Sequence, residues 1–195
     1  MPKYYILHKP YGYLSQFTKE VPEHRTLADL YDFPKNVYPV GRLDKDSEGL
    51  LILTDDGRLT HKLLEPKFQH RRTYWVQVEG NPNEKELQKL SRGVKIKLKK
   101  GYYQTLPIEA KLIDNEIVIE DRAPPVRFRK SIPTTWLALT LKEGKNRQVR
   151  KMCAAVGFPV LRLIRVSIEN LKLDNLEIGG VQEIAKFEIK RLLKV

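Results

Sequence analysis

Three carboxylates stand at alternate positions in the run Gly41-Arg42-Leu43-Asp44-Lys45-Asp46-Ser47-Glu48-Gly49, and an arginine lies two residues before the first of them. A carboxylate held in a fixed loop can attack a carbon, move a proton or bind a metal ion. The apolar run Leu50-Leu51-Ile52-Leu53 follows directly, closed by the turn signal Asp55-Asp56-Gly57. A strand that buries itself straight after a loop holds that loop still, as a reactive carboxylate requires. Three readings compete. Asp44, Asp46, Glu48, Gly49 and Asp55 fall in the register of an EF-hand calcium loop. Against that, Tyr38-Pro39-Val40-Gly41 does not end a helix, Leu50 to Leu53 does not begin one, and Asp55 stands where the loop needs a longer, bidentate Glu. The second reading is an acidic turn kept in water. The third is a catalytic aspartate. Residue types alone leave the last two open, with Asp46 and Glu48 as eligible as Asp44.

The elements that would position these groups read as short strands with scattered helices. Tyr4 to Leu7 is β-prone and runs into a loop at His8-Lys9-Pro10-Tyr11-Gly12. Thr26 to Tyr31 and Thr60 to Leu64 predict short helices, the second stopped by Pro66, with a basic loop from Lys67 to Arg72. Tyr74 to Glu79 alternates, predicting a strand with one buried face. Asn83 to Leu90 predicts a helix, with Asn83 and Glu86 as a capping pair and Gly93 as the stop. Val94 to Lys100 alternates apolar with basic residues, a strand whose lysine face either meets phosphate or blunts a solvated edge. Glu109 to Ile113 and Glu116 to Glu120 flank Asp114-Asn115 as a hairpin. The proline-stiffened stretch to Pro133 carries Arg127, Arg129 and Lys130.

Thr135 to Leu141 predicts another strand. Asn146 then caps a helix whose apolar positions are Val149, Met152, Cys153 and Val156, with Gly157 at its end and Arg147, Arg150 and Lys151 on another face. A strand from Val160 to Ile168 and a final helix within Lys186 to Leu193 complete the chain. His61 and His70 lack a spaced Cys or His set and read as ordinary surface or core histidines. The strand-rich pattern predicts an α+β fold, mostly antiparallel.

The chain of 195 residues carries 36 Lys and Arg against 24 Asp and Glu, a net charge of +12 with histidines neutral. One domain of that length buries roughly 70% of its unfolded surface. The charge balance points to a polyanionic partner, because each phosphate neutralised releases counterions. Cys153 is the only cysteine, so an intramolecular disulfide and a Cys-rich zinc site are excluded. Nothing approaches a membrane-spanning apolar run, and Met1-Pro2-Lys3-Tyr4 does not open a signal peptide. These features predict a cytoplasmic protein that does not engage a membrane.

Gly41-Arg42-Leu43-Asp44 followed by Ser47-Glu48-Gly49-Leu50-Leu51 resembles the signature of the RsuA-type ribosomal RNA pseudouridine synthases. The resemblance extends in order through Lys9-Pro10, Arg72-Thr73-Tyr74-Trp75-Val76, Gly144-Lys145-Asn146-Arg147-Gln148-Val149-Arg150-Lys151-Met152, Gly157-Phe158-Pro159-Val160 and Leu161-Arg162-Leu163-Ile164-Arg165. It implies an isomerase that breaks the N-glycosidic bond of uridine, turns the base and joins C5 to the ribose. By this resemblance Asp44 is the catalytic carboxylate and Arg150 the cation beside it. Tyr74 lies against the target base, and Arg42 props the space that the flipped base vacates. Lys145, Arg147 and Arg165 are implied phosphate contacts, and Lys9 an RNA contact or a support of the site. The implied fold has two α/β halves around a basic cleft, with no metal, nucleotide or other cofactor. Lys9-Pro10 comes so early that the chain is expected to be one catalytic domain, residues 1–195, without the small RNA-binding domain ahead of it that many relatives carry, and to act as a monomer.

Pro10-Tyr11, Gln16-Phe17-Thr18 and Lys130-Ser131-Ile132-Pro133-Thr134 before Trp136-Leu137 resemble the E-type branch of that family, whose members modify large-subunit ribosomal RNA. That resemblance implies a uridine of 23S rRNA as the target. The alternatives are a synthase for another rRNA or tRNA uridine, and a non-catalytic RNA-binding ribosome-assembly factor on the same fold.

Overall fold

In the computed structural model, the apolar run after the carboxylate loop becomes a seven-residue strand with every residue buried. Burial on both faces marks an interior strand, and here it anchors the loop from its C-terminal side. Residues 1–113, 120–126, 132–174 and 176–195 are described. They fold as two compact units, Met1–His70 with Ile164–Val195, and Arg71–Leu163. Arg127, Arg129, Lys130, the turn at Asp114-Asn115 and most of the strand expected after it lie outside the described residues.

In the first unit the strands are β1 (Tyr4–Lys9), β2 (Tyr13–Leu14), β3 (Arg25–Thr26), β4 (Tyr38–Pro39) and β5 (Glu48–Thr54), followed by helix α1 (Gly57–Leu64). In the second are β6 (Arg72–Glu79), α2 (Glu84–Ser91), β7 (Lys95–Leu98), β8 (Gly101–Gln104), β9 (Glu109–Leu112), β10 (Thr134–Leu141) and α3 (Gln148–Ala155). Strand β11 (Val160–Ile168) leads back into the first unit, which ends with β12 (Leu171–Lys172), β13 (Val181–Glu183) and α4 (Lys186–Leu193).

In the first unit β1 pairs antiparallel with both β13 and β5, and the end of β11 pairs parallel with the start of β5. Tyr5, Leu7, Leu27, Val37, Leu43, Leu51 and Leu53 form its core, so a residue of the carboxylate loop, Leu43, is itself a core residue. In the second unit β6, β10 and β9 form an antiparallel sheet. Val76, Val78, Leu137 and Leu139 pack there with Val149, Met152 and Cys153 of α3. This is the expected α+β architecture. Among the described residues no helix is long and apolar enough to cross a membrane.

Four local expectations change. Lys9 falls within β1 rather than in a loop. The Asp55-Asp56-Gly57 turn is the start of α1: Asp56 Oδ1 accepts from the backbone N–H of Arg58 and Leu59 at 3.0 and 3.1 Å, so the helix begins three residues before Thr60. The helix expected at Thr26–Tyr31 shortens to a 3-10 turn, Leu27–Asp29. Helix α3 is preceded by Arg147 rather than capped by Asn146. Arg147 takes left-handed backbone, φ 53°, in a turn where Gln148 N–H donates to Lys145 O and Lys145 N–H donates to Gln148 Oε1.

Candidate active site

The loop carrying Asp44 is pinned at both ends and in the middle by groups of the first unit. Ser15, buried, holds residue 43 by both backbone groups: its Oγ donates to Leu43 O at 2.8 Å and accepts from Leu43 N–H at 3.0 Å. The Ser47 N–H closes a turn onto Asp44 O at 3.0 Å, and Gly12 N–H donates to Lys45 O at 2.8 Å. With Leu43 buried, the backbone on both sides of Asp44 is fixed while Asp44 itself stays half-buried. A lone serine among aromatic and apolar residues carries no sequence signal for such a role, so Ser15 emerges only from the fold.

Gly49 ends the loop at φ 104°, and a Cβ there would lie 2.3 Å from Arg165 O and 2.6 Å from Arg165 N. Backbone packed that close admits only glycine. The contact follows from the parallel register in which Glu48 faces Ile164 and Gly49 faces Arg165. The same strands explain why the calcium reading fails: β4 precedes the loop and β5 follows it, where an EF-hand needs two helices.

Under the loop lie buried ionisable groups. Lys9 has no exposure to water, and Glu48 and Arg165 are almost as deeply buried. Lys9 Nζ donates to Pro10 O at 2.9 Å, and Arg165 Nε donates to Leu50 O at 2.8 Å. Burial pulls the Lys9 ammonium down from its ordinary value to about 7, with Arg165 adding to the effect. The negative charges of Glu48, Asp46 and Asp44 oppose that shift, so the lysine acts electrostatically on all three carboxylates. Of the residues that the resemblance implies as RNA contacts, or for Lys9 alternatively as a support of the site, these two are buried. Burial of this depth favours support of the carboxylate loop over contact with a solvated polyanion. Arg42, by contrast, is exposed, and its guanidinium donates to Gln16 Oε1 at 3.3 Å.

In the second unit Tyr74 shares its face of β6 with buried Val76 and Val78, lies opposite Leu139, and is half-buried against the core. Arg150 on α3 is half-buried, and its Nη1 donates to Val160 O at 3.3 Å. Lys145 and Arg147 are exposed, and Lys145 Nζ lies 4.8 Å from the centre of the Tyr103 ring. Tyr103 Oη in turn donates to Glu143 at 2.6 Å, raising its phenol above the ordinary range. Exposed cations at the start of a helix suit phosphate. His70, left between surface and core by the sequence, is buried with Nδ1 3.4 Å from Glu169 Oε1, while His61 is exposed.

Comparison with known proteins gives this loop a context. A family model described as RNA pseudouridylate synthase matches residues 3–155. Ribosomal large subunit pseudouridine synthase E of Vibrio parahaemolyticus is 53% identical over 182 residues, covering 93% of this chain and 74% of the relative. The protein of the same name from Xanthomonas axonopodis is 51% identical over 172 residues, 88% of each chain. A solved pseudouridylate synthase superposes with a TM-score of 0.79 at 28% identity, covering 98% of this chain and 74% of that one. The chain belongs to the RNA pseudouridylate synthase family, the isomerases that convert uridine in RNA to its C-glycoside.

Proposed function

We propose that this protein isomerises a uridine of 23S ribosomal RNA to pseudouridine, with Asp44 as the attacking carboxylate. The reaction breaks the bond from N1 to the ribose and forms one from C5. The C5 hydrogen leaves as a proton and N1 gains one, so no redox partner is required. The observation that carries the catalytic assignment is the clamp on Leu43 and the turn from Ser47 to Asp44, which together fix the backbone on either side of that residue. Fixed placement is what converts an ordinary carboxylate into an effective nucleophile.

The assignment of Tyr74 and Arg150 rests on the family motif: Tyr74 supplies an aromatic face for the uracil, and Arg150 a guanidinium fork for the Asp44 carboxylate. The same motif gives Arg42 the space left by the extruded base, while Lys145 and Arg147 meet phosphate. The large-subunit substrate is supported by the names of the Vibrio parahaemolyticus and Xanthomonas axonopodis relatives, each more than half identical to this chain. In this reading the chain works as one catalytic domain, a monomer, in the cytoplasm where its RNA is made.

Tritium at uridine C5 must be lost on isomerisation. We expect near-stoichiometric release from 23S rRNA, free or within immature large-subunit particles, and none from 16S rRNA or bulk tRNA. Release from either of the latter instead would overturn the substrate assignment. Salt-sensitive binding without release from any RNA would favour the non-catalytic assembly factor.

A further inference from the structure

Among the described residues β7 and β8 pair only with each other, and the two faces of this hairpin differ sharply in chemistry. Ile96, Leu98 and Tyr103 face inward, packing on the core of the second unit. Lys95, Lys97, Tyr102 and Gln104 face outward, and all four are exposed. Lys97 lies directly opposite Tyr102, and Lys95 Nζ sits 4.8 Å from the centre of the Tyr102 ring, which is 69% exposed. Lys99 and Lys100 form the turn between the strands.

Between Glu86 and Glu109 the chain holds Lys89, Arg92, Lys95, Lys97, Lys99 and Lys100 and no carboxylate. A solubilising surface mixes both signs; a run of one sign raises a local field that attracts a polyanion. Lysines alone would suffice to keep an edge from pairing with other strands. They do not explain an exposed tyrosine at the centre of the same face, whereas alternating cations with an aromatic platform is the pattern that binds single-stranded nucleic acid. The inner face of the hairpin also meets a cation expected to touch phosphate, since Lys145 packs on Tyr103.

We propose that the outward face of this hairpin docks the RNA backbone flanking the target uridine, with Lys97, Lys99 and Lys100 on successive phosphates and Tyr102 against a sugar or unpaired base. This rests on the reading of the chain as an rRNA-modifying enzyme and adds a second contact region outside the catalytic loop.

The test is equilibrium binding of transcribed 23S rRNA by the full chain at a series of KCl concentrations. The hairpin variant Lys97→Gln, Lys99→Gln, Lys100→Gln is compared with a charge-matched control, Lys35→Gln, Lys62→Gln, Lys186→Gln, whose positions are also exposed. Each lost phosphate contact removes about 0.7–0.9 from the slope of log affinity against log salt, so the hairpin variant should be shallower by about 2 to 3 and weaker by about tenfold at low salt. The control should move far less. Tyr102→Ala should weaken binding about fivefold or more, with Tyr102→Phe restoring it. Equal shifts in both triple variants, or none in the hairpin variant, would overturn the proposal. Tritium release by the wild-type chain on the same transcript and on immature large-subunit particles reads the parent function separately: without it on either the enzymatic reading fails, while the binding comparison still decides the hairpin.

Discussion

Lys9 shows what the local sequence says and what it leaves out. Lys-Pro near the start is legible as part of a family motif, but its surroundings read as an exposed loop. Pairing with both β5 and β13 draws β1 into the interior instead, and Lys9 with it. That burial has a measurable signature. Below about pH 7 both folded and unfolded chains hold the lysine proton, and the cost of the buried charge is present in full. From about 7 to the ordinary 10.5 the unfolded chain binds more protons than the folded one, so stability rises with pH through that window. Unfolding by urea at several pH values should therefore show the wild-type chain gaining on Lys9→Met by about 1.4 kcal/mol per pH unit above pH 7. A difference that stays flat with pH would mean that Lys9 is charged and solvated. Only the motif singles out Asp44, since three carboxylates in one loop are equivalent by chemistry; Ser15 and the Gly49–Arg165 contact needed the fold.

At the level of elements, helices with reciprocal caps were the most readable. Asn83 and Glu86 exchange bonds across the first turn of α2, and the helix forms where that pair predicts. Helix α1 was half read because its cap sits in a run that also spells a turn. Asp56 does both tasks: it caps two backbone N–H groups and accepts the Tyr4 hydroxyl at 2.7 Å. That hydroxyl bond is the largest cause holding Asp56 below the usual carboxylate range. Asp56→Ala should cost about 1–2 kcal/mol in urea unfolding, mostly recovered by Asp56→Asn, which keeps an accepting oxygen for the cap. A loss of only a few tenths would show that packing alone fixes the helix start. Strand β8 was missed because its turn, Lys99-Lys100 before Gly101, lacks the usual hairpin pair and relies on glycine at φ 116°. The start of α3 moved because Gln148, bonded to Lys145 and Glu143, ties down the turn that Asn146 was expected to cap.

For the molecule as a whole, charge and strand pattern were legible early: +12 called for a polyanion, and alternating runs called for an antiparallel α+β fold. The division into two units was not legible from composition, because the first is built from both ends of the chain and no linker marks its boundary. Long-range pairing, with β1 bonded to β13 and β5 to β11, is set by which strands can bury both faces rather than by any local signal. The central claim is that this fold holds one of three adjacent carboxylates in place to attack uridine. Its most direct test is the single-turnover rate of C5 tritium release from 23S rRNA by excess wild-type, Asp44→Asn, Asp46→Asn and Glu48→Gln chains. We predict that Asp44→Asn alone removes the reaction, slowing release by about 10⁴-fold or more. Release by Asp44→Asn at the wild-type rate, or its loss in Asp46→Asn instead, would contradict the account.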